Sequence, residues 1–288
     1  MDFDYLLVVF LSSLSSASIL IMATLGLSLL FGLMGIINLA HGEFIMYGAY
    51  AALTLVSVGF PYPVAILFAT LFTALFGMVV EKLIIRRLYG RILYTMLATW
   101  GLSMVMYQSV VLIFGTVTPG LDFKQSNITI GDYSMSSYLL YMIPLTVLLL
   151  VGLYYLLTRS KYGIMARACI ADPQTAAAMG MKTKKLNMIT FSIGSGLAGF
   201  AGAIILPLVS ATPNMGFAFV IKSFLTVVVA GPLALSGTAV AGSFLGFISS
   251  TTASFYSSII GDMLFFTITI LILRFYPNGI SNKWRFKL

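Results

Sequence analysis

Asn38, His41 and Glu43 interrupt an apolar sequence with groups that accept hydrogen bonds, carry protons or hold a cation. They lie in Gly32-Leu-Met-Gly-Ile-Ile-Asn-Leu-Ala-His-Gly-Glu43, whose three glycines, Gly42 among them, permit an unwound or sharply turned backbone. Ionisable groups at membrane depth are expensive and mark function by default. A second break, from Gly231-Pro232 to Gly237, interrupts the later half of the chain. Two breaks in corresponding halves point to a central substrate path. The plainer reading makes both of them loops. At 35–43 the charge alternation calls for an inner turn, where Asn38 caps the next helix and the polar residues fix how two helices join. Lys222 is the one basic residue within an apolar run. Its stem either snorkels to the headgroups or brings the ammonium to a substrate carboxylate or an incoming protein.

His41 is the only histidine, and Ser195 in Gly194-Ser195-Gly196 is the natural nucleophile for a Ser-His dyad. A dyad also needs hydrogen-bond reach and an oxyanion site, and neither is legible here. Ser192, Gly196, Gly199 and Gly202, with Ala198, repeat small residues at helical spacing. Such faces let membrane helices approach closely, so packing is preferred to catalysis and the chain reads as a non-enzyme. The single Cys169 excludes an internal disulfide framework, and no Cys/His metal spacing occurs. A proton relay needs acids within the spans, yet Glu43 and Glu81 both fall at expected inner ends. A driving force from a docked ATPase would fill that gap.

The stretch 158–187 is the place to look for such docking. Asp172 can cap a helix starting at Pro173, Gln174 to Met179 is Ala-rich, and Gly180 can end it. The residues alone leave two readings open: a linker held by its cations near anionic headgroups, or a docking helix for a cytoplasmic partner.

The elements that position these groups follow from composition. Of 288 residues, 60% are hydrophobic and 8% charged, against about 25% charged in soluble domains; mean hydropathy is +1.04. That excludes a cytosolic enzyme, a secreted domain and a nucleic-acid binder, despite the net charge of +8. Apolar runs at about 6–34, 44–60, 62–80, 92–114, 137–157, 188–210, 217–235, 238–258 and 263–275 predict an all-α polytopic membrane protein. It has eight or nine transmembrane helices, some short or broken, in a single domain over 1–288. The last run spans only by borrowing Ile259 and Ile260, and the first reads as a retained helix. The outer stretch 115–136 reads as an ordered cap or surface loop.

Fourteen of the sixteen basic residues form three clusters. The first is Lys82, Arg86, Arg87 and Arg91; the second Arg159, Lys161, Arg167, Lys182, Lys184 and Lys185; the third Arg274, Lys283, Arg285 and Lys287. The positive-inside rule puts all three in the cytoplasm, with the N-terminus outside and the C-terminus inside. Asp122, Lys124, Asp132 and Asp262 then fall outside.

Residues 32–52, GLMGIINLAHGEFIMYGAYAA, strongly resemble the Asn-Leu-Ala-His-Gly segment of the inner-membrane permeases of bacterial ABC importers for branched-chain amino acids. The loop 163–181 is similar to that family's ATPase-coupling loop, with Asp172, Ala176, Ala177 and Gly180 on its pattern and Arg167 beside it. TFSIGSGLAGFAGA at 190–203 resembles the family's small-residue helix, and Leu273-Arg-Phe-Tyr-Pro-Asn-Gly279 its closing motif. Gly231-Pro-Leu-Ala-Leu-Ser-Gly237 departs from the usual Gly-Gly-x-Gly-Ser hairpin. The resemblance implies a bacterial inner-membrane subunit surrounded by lipid. Its partners would be a second related permease, two cytoplasmic ATPases that hold the ATP and Mg, and a periplasmic substrate-binding protein. No cofactor is expected in this chain, which lacks a phosphate-binding GxxxxGK[ST] loop. Leu97-Ala-Thr-Trp-Gly-Leu-Ser103 and Asn214-Met-Gly216 look like the branch that moves urea or short amides.

Overall fold

The computed structural model describes residues 2–116, 126–231 and 234–281. Asp122, Lys124, Pro232, Lys283, Arg285 and Lys287 lie outside those residues. Eleven α-helices and one hairpin are described, in the order α1 (Phe3–Met34), α2 (His41–Ser57), α3 (Tyr62–Leu83), α4 (Ile92–Phe114), β1 (Asn127–Ile130) and β2 (Tyr133–Ser136). Then follow α5 (Ser137–Arg159), α6 (Lys161–Ala171), α7 (Pro173–Ala178), α8 (Thr183–Ile205), α9 (Met215–Ala230), α10 (Ala234–Phe255) and α11 (Ser258–Phe275). Among the described residues, six helices, α1, α3, α4, α5, α8 and α11, are long and apolar enough to cross a membrane. Ile259 and Ile260 join the last of them, whose first turn is capped by the Ser257 hydroxyl.

The helices are inside-out by the standards of a soluble protein. On α3 the buried positions Ala65, Ala69, Thr73 and Gly77 recur every fourth residue, while Leu67, Phe68, Leu71 and Phe72 are exposed. On α4 the buried face includes Thr95 and Thr99, and the exposed face carries Leu93, Leu97, Trp100 and Leu112. Bulky apolar surface turned outward suits lipid, and small residues turned inward let backbones approach.

The chain forms two compact units. The first takes the described residues of Met1–Thr24, Phe123–Gly152 and Ser223–Leu288, and the second Leu25–Asp122 and Leu153–Lys222. In the first unit α10 packs on α11 around Leu20, Val229, Leu245 and Phe265. Ser13 and Ser16 of α1 meet Thr251 and Ser250 of α10 through side-chain hydrogen bonds of 2.9 and 3.1 Å. The helix break at Gly231 (φ +82°) is packed against the turn after α11: a Cβ on Gly279 would stand 2.4 Å from the Gly231 Cα.

In the second unit α8 is the buried axis, packed against both α2 and α3. The small-residue face expected on 188–210 makes that contact. A Cβ on Gly199 would stand 1.9 Å from Thr73 Oγ1, and one on Gly202 1.8 Å from the Ile45 carbonyl oxygen. Ser192 donates to the Ala74 carbonyl at 2.8 Å.

The hairpin lies within 115–136, the stretch expected as an ordered cap or surface loop. Its Gly131-Asp132 turn joins Ile130 to Tyr133, with Gly131 at φ +59°. The ring of Tyr133 packs on that of Tyr5, centroids 5.2 Å apart, tying the hairpin to α1.

Candidate functional site

The first break is a chain reversal that carries its polar residues into the second unit. Residues 35–40 are irregular, with Gly35 at φ +62°. The expected cap by Asn38 is corrected: Ala40 occupies the cap position without a side-chain bond, and Asn38 Oδ1 accepts from the Ala40 N–H at 3.1 Å. Asn38 thus shapes the turn ahead of α2. The Leu39 N–H donates to Thr99 Oγ1 at 3.1 Å. Thr99 lies seven residues into α4 from Ile92, about 10 Å along the helix at 1.5 Å per residue.

α2 therefore starts part-way along its neighbours. A Cβ on Gly26 would stand 2.2 Å from the carbonyl oxygen of Gly194, the middle residue of α8, and 3.0 Å from His41 Cε1. With 17 residues, α2 falls short of the roughly 20 that a span needs. Asn38, His41 and Glu43 are 1%, 0% and 7% exposed.

Gly42 and Gly216 bring the first turns of α2 and α9 into backbone contact, since a Cβ on Gly42 would stand 2.2 Å from the Gly216 carbonyl oxygen. That approach sets Glu43 beside Asn214, in a recess of 490 Å³ also lined by Ser103, Tyr107 and Gln108 of α4 and by Phe217 of α9. The Ser103 hydroxyl donates to the Glu43 carboxylate. Ser103, Tyr107 and Gln108 escaped the sequence reading as site residues, because only the fold brings α4 against the start of α2.

Lys222 lies mid-way along α9 and is half-buried, so it is not at a helix end. Gly231 follows the last residue of α9 with φ +82°, and Gly237, in α10, backs onto the Ala230 carbonyl, 2.5 Å from where its Cβ would be. Ser195 is packed in the helix interface: its hydroxyl donates to the Phe191 carbonyl at 2.8 Å, and Gly77 of α3 lies against it.

The inner stretch folds as its residues direct. α6 is capped by Ser160, whose hydroxyl oxygen accepts from the Gly163 N–H at 3.0 Å. Asp172 caps α7, accepting from the Gln174 and Thr175 N–H groups at 2.9 and 3.1 Å, and Pro173 takes the first helical position. Gly180 (φ +84°) closes it, with its N–H on the Ala177 carbonyl and the Met181 N–H on Ala176. Ala176 is the buried residue of α7; Arg167, Asp172, Ala177 and Gly180 are exposed, and Met179 is 76% exposed. Hydrogen bonds from the Thr175 hydroxyl and backbone, then from Gln174, hold the Asp172 carboxyl below its ordinary range.

Close by, Glu81 is fully buried and gripped by the Arg86 guanidinium, with Nε–Oε1 3.2 Å and Nη2–Oε2 2.8 Å. Tyr89 donates to the same carboxylate, and burial together with that neighbour pushes its phenol well above the ordinary range. Lys82, Arg86, Lys182, Lys184 and Lys185 line one concave, cationic surface there. Among the described residues, no group of three or more His, Cys, Asp or Glu is placed to hold a metal ion.

Small faces turned inward, bulky apolar faces turned outward and a polar helix break inside the second unit define a multi-pass helical membrane protein. Residues 9–273 match the family model described as branched-chain amino acid transport system / permease component, and the chain belongs to that family. It is 28% identical to the high-affinity branched-chain amino acid transport system permease protein BraD of Pseudomonas aeruginosa, over 94% of each chain. To the probable branched-chain amino acid transport permease protein LivH of Methanocaldococcus jannaschii it is 26% identical, over 93% of this chain and 90% of that one. To LivH of Escherichia coli K12, a high-affinity branched-chain amino acid transport system permease protein, it is 24% identical over 98% and 97%. No solved structure matches the chain.

Proposed function

We propose that this chain is the transmembrane subunit of a binding-protein-dependent ABC importer, moving branched-chain or other small neutral amino acids across the bacterial inner membrane. The whole of 1–288 works as one permease domain, N-terminus outside and C-terminus in the cytoplasm. Its partners are a second related permease, two cytoplasmic ATPases and a periplasmic binding protein. ATP and Mg belong to the ATPases, and the chain itself holds no cofactor. Asn38, His41, Gly42, Glu43, Lys222, Gly231 and Gly237 belong to the translocation path or its helix breaks.

The observation that carries this reading is α7, a six-residue helix capped at both ends and presenting Asp172, Ala177 and Gly180 outward. A helix too short to stand alone, yet so fully capped, suits a rigid contact with the ATPase, with Arg167 on the adjoining helix. The cationic surface at Lys82 and Lys182–Lys185 suits lipid headgroups beside it.

Urea or a short amide is the second reading of the substrate. It is favoured by Ser103 and Asn214, which lie in the two segments resembling the urea branch and line one recess. Purifying the complex, identifying its partners and titrating the binding protein with leucine and urea tests both. Saturation by leucine supports the first, saturation by urea alone the second, and absence of an ATPase overturns the importer reading.

A further inference from the structure

Two carboxylates, Glu43 and Glu81, are buried in the second unit, and they are treated differently. Glu81 has both oxygens occupied by Arg86 and Tyr89. Glu43 is held by Ser103, while its Oε2 is buried with no hydrogen-bond partner. A buried carboxylate oxygen without a donor is unfavourable unless a partner arrives. None of the residues lining the recess around Glu43 carries a positive charge, so no side chain of the lining neutralises the carboxylate.

The geometry points to this recess as the solute subsite of the permease, with Glu43 receiving an N–H donor group of the passing molecule. This assignment rests on the proposed transport function. The recess, at 490 Å³, falls within the roughly 300–1,000 Å³ of small-molecule sites. Its lining divides by chemistry as a zwitterion with an apolar side chain divides. Glu43 faces the ammonium, the amides of Asn214 and Gln108 with the Tyr107 hydroxyl face the carboxylate, and Phe217 lines the apolar part. Urea would offer the same N–H donors to Glu43 and its carbonyl to the amides. The Gly42–Gly216 backbone contact holds the two sides of the recess together.

The test uses the complete complex, with its ATPases and binding protein, in proteoliposomes supplied with labelled leucine or urea. Glu43→Gln raises the KM for the transported solute about tenfold or more, as loss of a charge-assisted hydrogen bond requires. Glu43→Asp gives a smaller rise, and ATP hydrolysis stimulated by the loaded binding protein persists in both. Ser103→Ala, which removes only the bond that holds the carboxylate, raises KM in the same direction and serves if Glu43→Gln does not assemble. A rise seen with leucine identifies the ammonium as the donor, and one seen only with urea identifies the amide N–H. Unchanged KM in both Glu43→Gln and Ser103→Ala overturns the subsite and leaves the importer reading standing. A wild-type complex that moves neither solute overturns both.

Discussion

Gly48 of α2 and Gly199 of α8 lie backbone to backbone: a Cβ on Gly48 would stand 2.1 Å from the Gly199 carbonyl oxygen and 2.4 Å from its Cα. Gly199 is at the same time covered by Thr73 of α3. One glycine thus lets three helices converge, and the position of α2, with Glu43 in its first turn, depends on that convergence. In lipid the gain comes from close van der Waals contact rather than from expelling water.

Gly48→Ala and Gly202→Ala each force a methyl group into backbone, and overpacking of this kind removes about 1–3 kcal/mol. Thermal denaturation in detergent should show a clear fall in Tm for both. Gly101→Ala on α4, where nothing lies within 4 Å, should leave Tm unchanged or slightly raised.

The cap on α7 separates chemistry from charge. Asn at a cap position accepts the same backbone bonds as Asp, whereas Ala does not. Asp172→Asn should therefore keep ATP hydrolysis coupled to uptake, and Asp172→Ala should lose most of the coupling, with faster amide exchange at Gln174 and Thr175. The Asp172 carboxyl titrates below its ordinary value, so the cap favours the ionised form. Its contribution is complete above the ordinary carboxyl range and disappears as pH falls through the lowered value. Exchange at Gln174 and Thr175, corrected for the intrinsic rate, should stay flat from about pH 7 to 5 and rise only in stronger acid.

Glu81 tests what a buried charge needs. Arg86→Ala leaves its carboxylate buried without the guanidinium, which is far worse than replacing both partners. The single variant should lose several degrees of Tm and much of its folded yield, and Glu81→Leu/Arg86→Met should recover a large part. A double variant no better than the single would show that the pair contributes through something other than charge compensation.

Ser195 is a packing residue in this structure, its hydroxyl engaged with its own helix at Phe191. Ser195→Ala should retain full uptake, whereas Gly77→Leu, which drives a bulky chain into Ser195 on the neighbouring helix, should abolish assembly. Loss of function in Ser195→Ala with the fold intact would revive a catalytic role.

Much of this was legible in the residues. Long apolar runs located the helices, and Asp172, Pro173 and Gly180 marked both ends of α7, because caps and turns are local chemistry. The hairpin was missed although its signal was present: Ile128 and Ile130 alternate with Tyr133 and Met135 about Gly131-Asp132, a two-residue turn with Gly at φ > 0. The polar stretch around it disguised a period-two pattern as a loop. The recess was legible only in pieces, as Glu43 and the two segments that hold Ser103 and Asn214, and not as one place. Glu43, Ser103 and Asn214 belong to three segments far apart in the chain, and only the packing of α2, α4 and α9 brings them to one place. Charge counting leads to a turn at 35–43, and residues 35–40 are irregular; how that turn meets α4 and α8 depends on tertiary packing that charge counting does not reach.

The most direct measurement reconstitutes the purified chain in proteoliposomes twice, alone under an imposed proton or sodium gradient and in complex with its ATPases and binding protein. Uptake of leucine or urea is then followed with and without ATP. The expected result is uptake only in the complete complex, only with ATP, and abolished by Asp172→Ala. Uptake by the chain alone, driven by the gradient without ATP, would contradict the claim that its driving force enters through α7.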